Sequence, residues 1–214
     1  KGRKFIERFL TETYGNKTWT TSVFHQWLTD RDVPYIIDIN RDTQIQNMWA
    51  DRPHLLIVGV ARIAGTDFRY QIYQYFSGEY RKVTAEEADT SLPVLFKPMG
   101  TPRPEPNFIA SDADYVDYIT ELMGGFAIPS FIKEKRVGKQ YLFMGLRMNR
   151  DTERMVLSDM IYSSAEPAGW VLLPNPNDKE KRYCAKKNLE IIDADWFDLM
   201  GIEAPVSTEE ALEA

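Results

Sequence analysis

The stretch Val33-Pro34-Tyr35-Ile36-Ile37-Asp38-Ile39-Asn40-Arg41-Asp42 decides the fold class of this chain. Its apolar half is short and rich in β-branched and aromatic residues, which is typical of a buried strand. Its polar half is typical of a loop, and a helical pattern follows over residues 42–49. A buried strand, a polar loop and a helix form the repeating unit of an α/β protein, whose ligands bind beyond the carboxyl ends of the strands.

Working outward, the remaining chain repeats this alternation of strand and helix patterns. We therefore predict an α/β protein with a Rossmann-like three-layer fold and a mostly parallel sheet. An apolar strand pattern that begins at Leu55, the turn Ala64-Gly65-Thr66-Asp67 and the alternating residues 68–72 together predict a β-hairpin insertion around residues 55–80. The other predicted strands cover residues 93–97, 141–144, 170–173 and 189–192, and the other predicted helices cover 4–10, 21–29, 111–124, 150–162, 178–187 and 196–200.

Length and composition limit the organisation and the function classes. The 214 residues suit one domain over residues 1–214, with an acidic tail from about residue 203 that we expect to be flexible. Lys+Arg 26 against Asp+Glu 32 gives a net charge of −6, which argues against general nucleic-acid binding. One cysteine and two histidines exclude an internal disulfide, a multi-thiolate zinc site and a three-histidine metal site.

Two further patterns bear on the location of the protein. No apolar run approaches the ~20 residues that span a membrane, and no secretory signal opens the chain. The expected compartment is the cytoplasm.

Polar residues that follow the first two buried strands are candidate ligands of a small molecule. Asn40 can donate and accept hydrogen bonds, and Asp42 can accept them or act as a base. Gly100 allows a close approach of the backbone to a ligand, and Thr101 could donate to a phosphate. The structural alternatives stay open, because Asp42 could cap the next helix, Asn40 could close a turn, and residues 98–101 could form an ordinary loop.

A later strand ends in a second candidate site. Gly145 lies at the end of the strand, and Arg147 and Arg150 flank the start of the helix that follows. A glycine and two arginines at a helix N-terminus are typical of an anion site. A solvated charge cluster, with Asn149 as the N-cap of the helix, explains the same residues.

An aromatic segment is the candidate for a protein-binding face. Tyr70, Tyr73, Tyr75 and Phe76 lie close together in the sequence, and tyrosine is enriched at interface hot spots. Packing in the core and in a hairpin is the alternative. His25 and His54 are interpreted as packed or surface histidines, because no Ser-His-Asp arrangement is visible.

Four motifs in order resemble the bacterial sirtuin-like domain family of NAD-dependent deacetylases and NAD hydrolases. The family pattern has a strand ending in Thr-x-Asn-x-Asp, a strand ending in Lys-x-His-Gly, an acidic-Tyr helix start and a strand ending in Gly-Tyr-Ser. The resemblance covers about residues 21–200. The corresponding segments here are Asp38-Ile39-Asn40-Arg41-Asp42, Lys97-Pro98-Met99-Gly100-Thr101, Asp112-Ala113-Asp114-Tyr115 and Phe143-Met144-Gly145-Leu146-Arg147.

This resemblance implies a pocket for NAD or ADP-ribose. Asn40 and Asp42 would take the places of the residues that contact the nicotinamide ribose. Gly145 would approach a phosphate or ribose, and Arg147 stands in the place of the family's serine. An arginine there could hold a phosphate, or its bulk could fill the pocket.

Two departures from the pattern bear on activity. Met99 occupies the place of the catalytic histidine, and a thioether cannot accept a proton near neutral pH. The family's glycine-rich phosphate loop does not occur in the sequence, so it is either lost or located before Lys1.

We therefore predict a non-catalytic sirtuin-like accessory or regulatory factor that binds a protein partner. An association of sirtuin-like proteins of this size with nitrogenase suggests a metalloenzyme as that partner, although no motif indicates it. The alternatives are an NAD-hydrolysing enzyme, for example in phage defence and with Asp42 as base, or a sensor of NAD or ADP-ribose.

Overall fold

The computed structural model describes residues 2–16, 18, 20–62 and 67–203, without the side chains of residues 152 and 153. The chain divides into two compact units, Lys1–Lys135 and Arg136–Ala214. Each unit is described by itself, and a single domain over residues 1–214 stays a prediction. The predicted turn at residues 64–67 falls largely on residues 63–66, and the predicted tail falls largely on residues 204–214, and both of these ranges lie outside the described residues.

The first unit combines five helices and seven strands within its described residues. Its helices are α1 (Arg3–Gly15), α2 (Val23–Asp30), α3 (Gln44–Met48), α4 (Asp112–Gly124) and α5 (Ser130–Lys135). Its strands are β1 (Tyr35–Ile37), β2 (His54–Gly59), β3 (Tyr70–Phe76), β4 (Glu79–Val83), β5 (Val94–Lys97), β6 (Gly100–Thr101) and β7 (Asn107–Phe108).

The main sheet of this unit is mixed, with the strand order β1-β5-β2-β3-β4. β5 pairs parallel with β1 and with β2, whereas β3 pairs antiparallel with β2 and with β4. The prediction of α/β structure is confirmed, but the prediction of a mostly parallel sheet is wrong here. Residues 60–69 leave too little chain for a crossover helix, and Ser77 and Gly78, with φ of 51° and 93°, form a tight turn that returns β4 beside β3.

The segment predicted as an insertion contains a central strand of this sheet. β2 lies between β5 and β3, and all six of its residues are buried. The predicted antiparallel pairing on the two sides of residues 64–67 is confirmed, since β2 pairs antiparallel with β3, and β3 forms a second hairpin with β4. The apolar run that begins β2 is therefore part of the core, as its continuous burial requires.

An aromatic cluster closes one end of this core around His54. Trp49 is 1% exposed, and the centroid of its ring lies 5.4 Å from that of His54 in an edge-on arrangement. The His54 ring stacks on Tyr75 at 4.8 Å, and its Nε2 lies 3.0 Å from the Tyr80 hydroxyl. These contacts place His54 in the packing of the fold, as interpreted from the sequence.

The second unit is a smaller α/β layer. Its elements are β8 (Tyr141–Phe143), α6 (Asp151–Met160), β9 (Gly169–Leu172), α7 (Asp178–Lys186), β10 (Leu189–Ile192) and α8 (Trp196–Met200). The three strands are all parallel, in the order β10-β9-β8. Met148, Leu157, Val171 and Cys184 form the centre of its core.

Helix capping fixes the start of one long helix in each unit. Ser111 accepts the N–H of Asp114 and begins α4 with a reciprocal capping box, as its sequence predicts. Asn177 and Glu180 form the equivalent box at α7. At α6 the N-cap is Arg150 rather than the predicted Asn149. Among the described residues, no helix is long and apolar enough to cross a membrane.

Candidate functional site

The carboxyl ends of β1 and β5 bring two of the sequence motifs together. The strands are parallel neighbours, with Ile37 opposite Phe96, and the N–H of Asp38 donates to the Phe96 carbonyl at 2.8 Å. The loops that carry Asn40 and Gly100 therefore leave the sheet at the same edge, as predicted from the parallel pairing.

A buried ion pair joins these two loops at their base. Lys97 Nζ lies 2.6 Å from Asp38 Oδ2, and the two side chains are 1% and 6% exposed. The other oxygen of Asp38 accepts the N–H of Asn40 at 3.0 Å. Neither residue was singled out as a site residue from the sequence, although both follow directly on neighbouring parallel strands. That position is the signal by which the pair could have been found.

The two predicted ribose contacts have different surroundings. Asn40 is exposed, and Asp38 rather than Asn40 supplies the side-chain bond in this turn. Asp42 is half-buried, and its Oδ1 accepts the N–H of Gln44 at 2.9 Å in the first turn of α3. The N-cap of α3 is Thr43 rather than Asp42, and Asp42 instead closes a short turn just before the helix.

Gly100 and Thr101 are held inside the first unit by the short β6–β7 pair. Gly100 has φ of 89°, and a Cβ atom there would lie 2.0 Å from the carbonyl oxygen of Asn107. Its missing side chain therefore serves a close approach between two strands. Thr101 is fully buried, and its hydroxyl donates to Gln46 Oε1 at 2.7 Å. These positions fit a nucleotide poorly, because their free faces and donors are already occupied by the protein.

Two arginines connect the motif loops to each other. Arg103 donates to the Thr43 hydroxyl at 2.9 Å and to Asn47 Oδ1. Arg41 donates to the Ile109 carbonyl at 2.6 Å and to the Tyr115 hydroxyl at 3.0 Å.

The third motif, at the start of α4, is thereby bonded to the first motif. Sequence reasoning quoted Arg41 and Tyr115 in separate motifs without connecting them, because a bond over this distance in sequence has no local pattern.

Met99 lies within the same edge of the sheet. Its side chain is 8% exposed, and its backbone carbonyl accepts the N–H of Ile109 at 3.2 Å. The two histidines, which are the other candidate proton acceptors considered, form hydrogen bonds in other parts of the fold. His54 bonds the Arg52 carbonyl and Tyr80, and His25 bonds the Ser22 hydroxyl at 2.6 Å.

Burial also changes the proton affinity of the His54–Tyr80 pair. Burial lowers the pKa of His54 below its ordinary value of 6.5, against an opposing hydrogen bond to the backbone of Arg52. Burial raises the pKa of Tyr80 to about 12. Both side chains are therefore neutral near pH 7, which suits a packed hydrogen-bonded pair rather than a proton-transfer site.

Gly145 and Arg147 belong to the second unit. Gly145 adopts φ of 66° directly after β8. Arg147 makes a bidentate pair with Glu180, with Nε and Nη2 each 3.0 Å from a carboxylate oxygen, and it also donates to the Pro174 carbonyl at 2.9 Å. The Glu180 side chain is fully buried, whereas the Arg147 side chain is 45% exposed. The guanidinium thus has a carboxylate partner already, although part of it faces solvent.

The aromatic segment is divided between core and surface. Tyr73 and Tyr75 are buried, so they cannot form the protein-binding face predicted for them, and their place is explained by core packing. Tyr75 donates to the Ala50 carbonyl at 2.8 Å. Tyr70 is half-buried and Phe76 is 64% exposed, so the prediction of a partner-binding role stays with these two side chains.

Within the described residues, no group of three or more His, Cys, Asp or Glu side chains is arranged to hold a metal ion.

A family comparison decides the relationship of the chain. The family model described as a SIR2-like domain matches residues 41–192. The chain belongs to the SIR2-like domain family. This match confirms the sirtuin-like resemblance. The matched range of the SIR2-like chain includes the segments after β5 and β8. The range begins at Arg41, so Asn40 lies just before it. No curated protein matches the chain.

Proposed function

We propose that this SIR2-like chain is a non-catalytic module that acts as an accessory or regulatory factor by binding a protein partner. The observation that carries the proposal is Met99, which stands where the sirtuin-like pattern places its general base. Loss of a general base typically slows a reaction ~10²–10⁴-fold. Met99 is largely buried, and both histidines of the chain have hydrogen-bond partners in other parts of the fold.

The state of the other motif residues supports the same proposal. Thr101 gives its hydroxyl proton to Gln46, and Arg147 pairs with Glu180. A nucleotide that used these groups would have to break hydrogen bonds or ion pairs within the protein. Each such loss is unfavourable, because it leaves a buried polar group without its partner. Asp42 is the remaining candidate base of the NAD-hydrolysing alternative, and one of its oxygens already accepts the N–H of Gln44.

The proposed partner is a protein. Its proposed class is a metalloenzyme such as nitrogenase, because of the association of sirtuin-like proteins of this size with nitrogenase. An acidic chain with a net charge of −6 is compatible with a protein partner and poorly suited to nucleic acid.

Release of nicotinamide from NAD is the direct test. We expect no turnover by the 214-residue chain above the level of its Asp42→Ala variant, because the general base is missing. Turnover that disappears in Asp42→Ala contradicts the proposal and identifies the enzyme alternative.

A second variant separates a lost base from a lost pocket. If only the base were missing, Met99→His would gain NAD hydrolysis. We expect no gain, because Gly100, Thr101 and Arg147 are engaged within the protein.

Thermal unfolding with added NAD or ADP-ribose tests the sensing alternative. A ligand at ~100 times its dissociation constant adds ~2.7 kcal/mol to the free energy of unfolding. We expect no increase in Tm with either compound. An increase that Asn40→Ala abolishes identifies a nucleotide sensor instead.

A further inference from the structure

A groove of about 600 Å³ lies in the first unit, away from the loops after β1 and β5. Its sides are built by the start of β3, the end of β4, the segment between α4 and α5, and α5 itself. A volume of this size is typical of pockets that bind ligands. The groove is lined by Phe68, Tyr70, Gln71, Ile72, Lys82, Val83, Thr84, Ala85, Glu86, Gly125, Phe126, Ile128, Ser130 and Lys133.

The apolar part of the groove is an exposed aromatic pair. Phe68 and Phe126 are 48% and 42% exposed, and the centroids of their rings lie 6.1 Å apart. Tyr70 lies beside them, with its ring centroid 5.2 Å from that of Phe68. Large aromatic side chains that share an exposed cleft are typical of interaction sites.

Bonds behind the aromatic pair hold it in place. The N–H of Arg69 donates to the Phe126 carbonyl at 2.9 Å, which joins the backbones that carry the two rings. The Arg69 guanidinium is nearly buried and bonds both oxygens of Asp117, at 2.6 and 3.2 Å. Lys133 donates to the carbonyl of Gly125. The groove is therefore preformed, which lowers the entropic cost of binding.

One edge of the groove is an open stretch of β-strand. The Arg69 carbonyl accepts the N–H of Val60, so it points toward β2. Because backbone groups alternate along a strand, the N–H and C=O of Tyr70 point to the opposite side, where β4 would continue. β4 ends at Val83, opposite Ile72, and does not reach Tyr70.

Charge at the rim favours an acidic occupant. Lys82 is exposed, and among the described residues it makes no ion pair or hydrogen bond. Lys133 lines the opposite wall, and Glu86 is the one acidic residue in the lining.

We propose that this groove binds an extended, acidic segment of a partner protein, which adds to the open edge of β3 at Tyr70 and packs a large apolar side chain against the exposed surface of Phe68 and Phe126. An acidic residue of the segment pairs with Lys82. This addition of a strand to a sheet edge is a common mode of peptide recognition. This inference rests on the proposed partner-binding function, and it specifies that the partner segment is extended and carries an acidic residue and a large apolar residue.

A phage-displayed library of random peptides of about nine residues, panned on the 214-residue chain, tests this site. We expect the enriched peptides to share a large apolar residue next to an acidic residue. A synthetic copy of the most enriched peptide then binds the wild-type chain with a measurable Kd in fluorescence anisotropy. A backbone N-methylated copy binds about tenfold more weakly, because it cannot pair with Tyr70.

Matched variants locate the binding. Phe126→Ala and Lys82→Glu each weaken binding about tenfold or more. Phe9→Ala in α1 and Arg81→Glu in β4 leave it unchanged, because these exposed residues lie outside the groove lining.

The proposal is overturned if no peptide is enriched, or if the enriched peptides bind Phe126→Ala and Lys82→Glu as tightly as the wild-type chain. It is also overturned if sedimentation shows a dimer that Phe126→Ala dissociates, since the groove then belongs to a second copy of the chain. None of these readouts involves NAD. Turnover of NAD would therefore contradict the non-catalytic function and leave the groove result standing.

Discussion

The segment after β5 and the segment after β8 both carry a motif of the same family, but the ion pairs of the two segments differ in burial. In the first unit, Lys97 and Asp38 are both almost completely buried. In the second unit, Glu180 is fully buried while its partner Arg147 keeps 45% of its side chain in solvent. Both partners of the first ion pair are thus enclosed by the fold, whereas only the carboxylate of the second pair is buried.

This difference shows what each pair can contribute. An enclosed pair stabilises only while both partners are present, because either charge left alone in the core has a large desolvation penalty. An arginine that remains partly hydrated can lose its partner at a smaller cost, and it can also exchange that partner for another anion. The predictions below test this contrast.

Removing the lysine of the enclosed pair has the largest expected effect. Lys97→Met leaves the Asp38 carboxylate buried without its partner, and we expect a loss of about 3–5 kcal/mol in the free energy of unfolding. Urea unfolding followed by circular dichroism measures it. The double variant Asp38→Leu with Lys97→Met recovers much of the loss, whereas Arg8→Met, in an exposed pair with Glu12, changes stability by less than about 0.5 kcal/mol. A loss below about 1 kcal/mol in Lys97→Met would show that the pair is not enclosed.

The half-exposed pair gives a smaller effect. Arg147→Ala removes the bidentate partner of Glu180, and we expect a loss of about 1–2 kcal/mol, since water can reach part of the site. Arg147→Lys recovers only part of this loss, because an ammonium cannot place two nitrogens beside the carboxylate as the planar guanidinium does. The same urea titration measures both variants. An Arg147→Ala loss as large as that of Lys97→Met would remove the contrast between the two pairs.

The helix caps provide a comparison of equal local geometry in the two units. Ser111→Ala at α4 and Asn177→Ala at α7 each remove an N-cap bond, and we expect about 1 kcal/mol for each. Hydrogen exchange read by mass spectrometry assigns each loss to its own unit. Protection that decreases equally in both units after one substitution argues against local effects of the caps.

Mild acid is expected to act on the first unit alone, with the smallest effect. Both histidines lie in this unit, and burial lowers the pKa of His54 below 6.5. The unfolded chain therefore takes up a proton near pH 6.5 that the folded chain does not. The stability due to neutral His54 is present above that pH and is lost as the pH falls below it.

The measurement is Tm between pH 7 and 5.5. We expect Tm to fall with pH in the wild-type chain and in His25→Gln, and the slope to decrease in His54→Phe. An unchanged slope in His54→Phe would mean that other groups cause the acid sensitivity.

Much of the secondary structure could be predicted from local pattern. The strand that starts at Tyr35, the capping box at Ser111 and the helix at Asp178 all follow from residues within a few positions of one another. The antiparallel direction of β3 relative to β2 also follows from the turn predicted between them. The position of β5 between β1 and β2 could not be predicted in the same way, because it depends on pairing between residues that are distant in the sequence.

The candidate site was predictable in position but not in its bonds. The parallel pairing of β1 and β5 brings Asn40 and Gly100 to one edge, and strand order along the chain indicates that. The pair of Arg147 with Glu180 depends on the rotation of α7, and no sequence spacing gives it. Tyr73 and Tyr75 show the same limit. They share one face of β3, the buried Ile72 lies on the other face, and no local pattern indicates that both faces are covered.

The contact between Trp49 and His54 also allows the first unit to be followed by tryptophan fluorescence, without an added label. A tryptophan held away from water emits at shorter wavelengths than a hydrated one, and a protonated imidazole beside an indole quenches its light. Trp49 is 1% exposed, and the neutral His54 ring lies beside it in an edge-on arrangement. The sequence has four other tryptophans, so a variant in which those four are replaced by phenylalanine isolates this emission. In that variant the emission reports whether the cluster around His54 is intact and neutral, in the same cuvette in which a peptide or a nucleotide is being titrated.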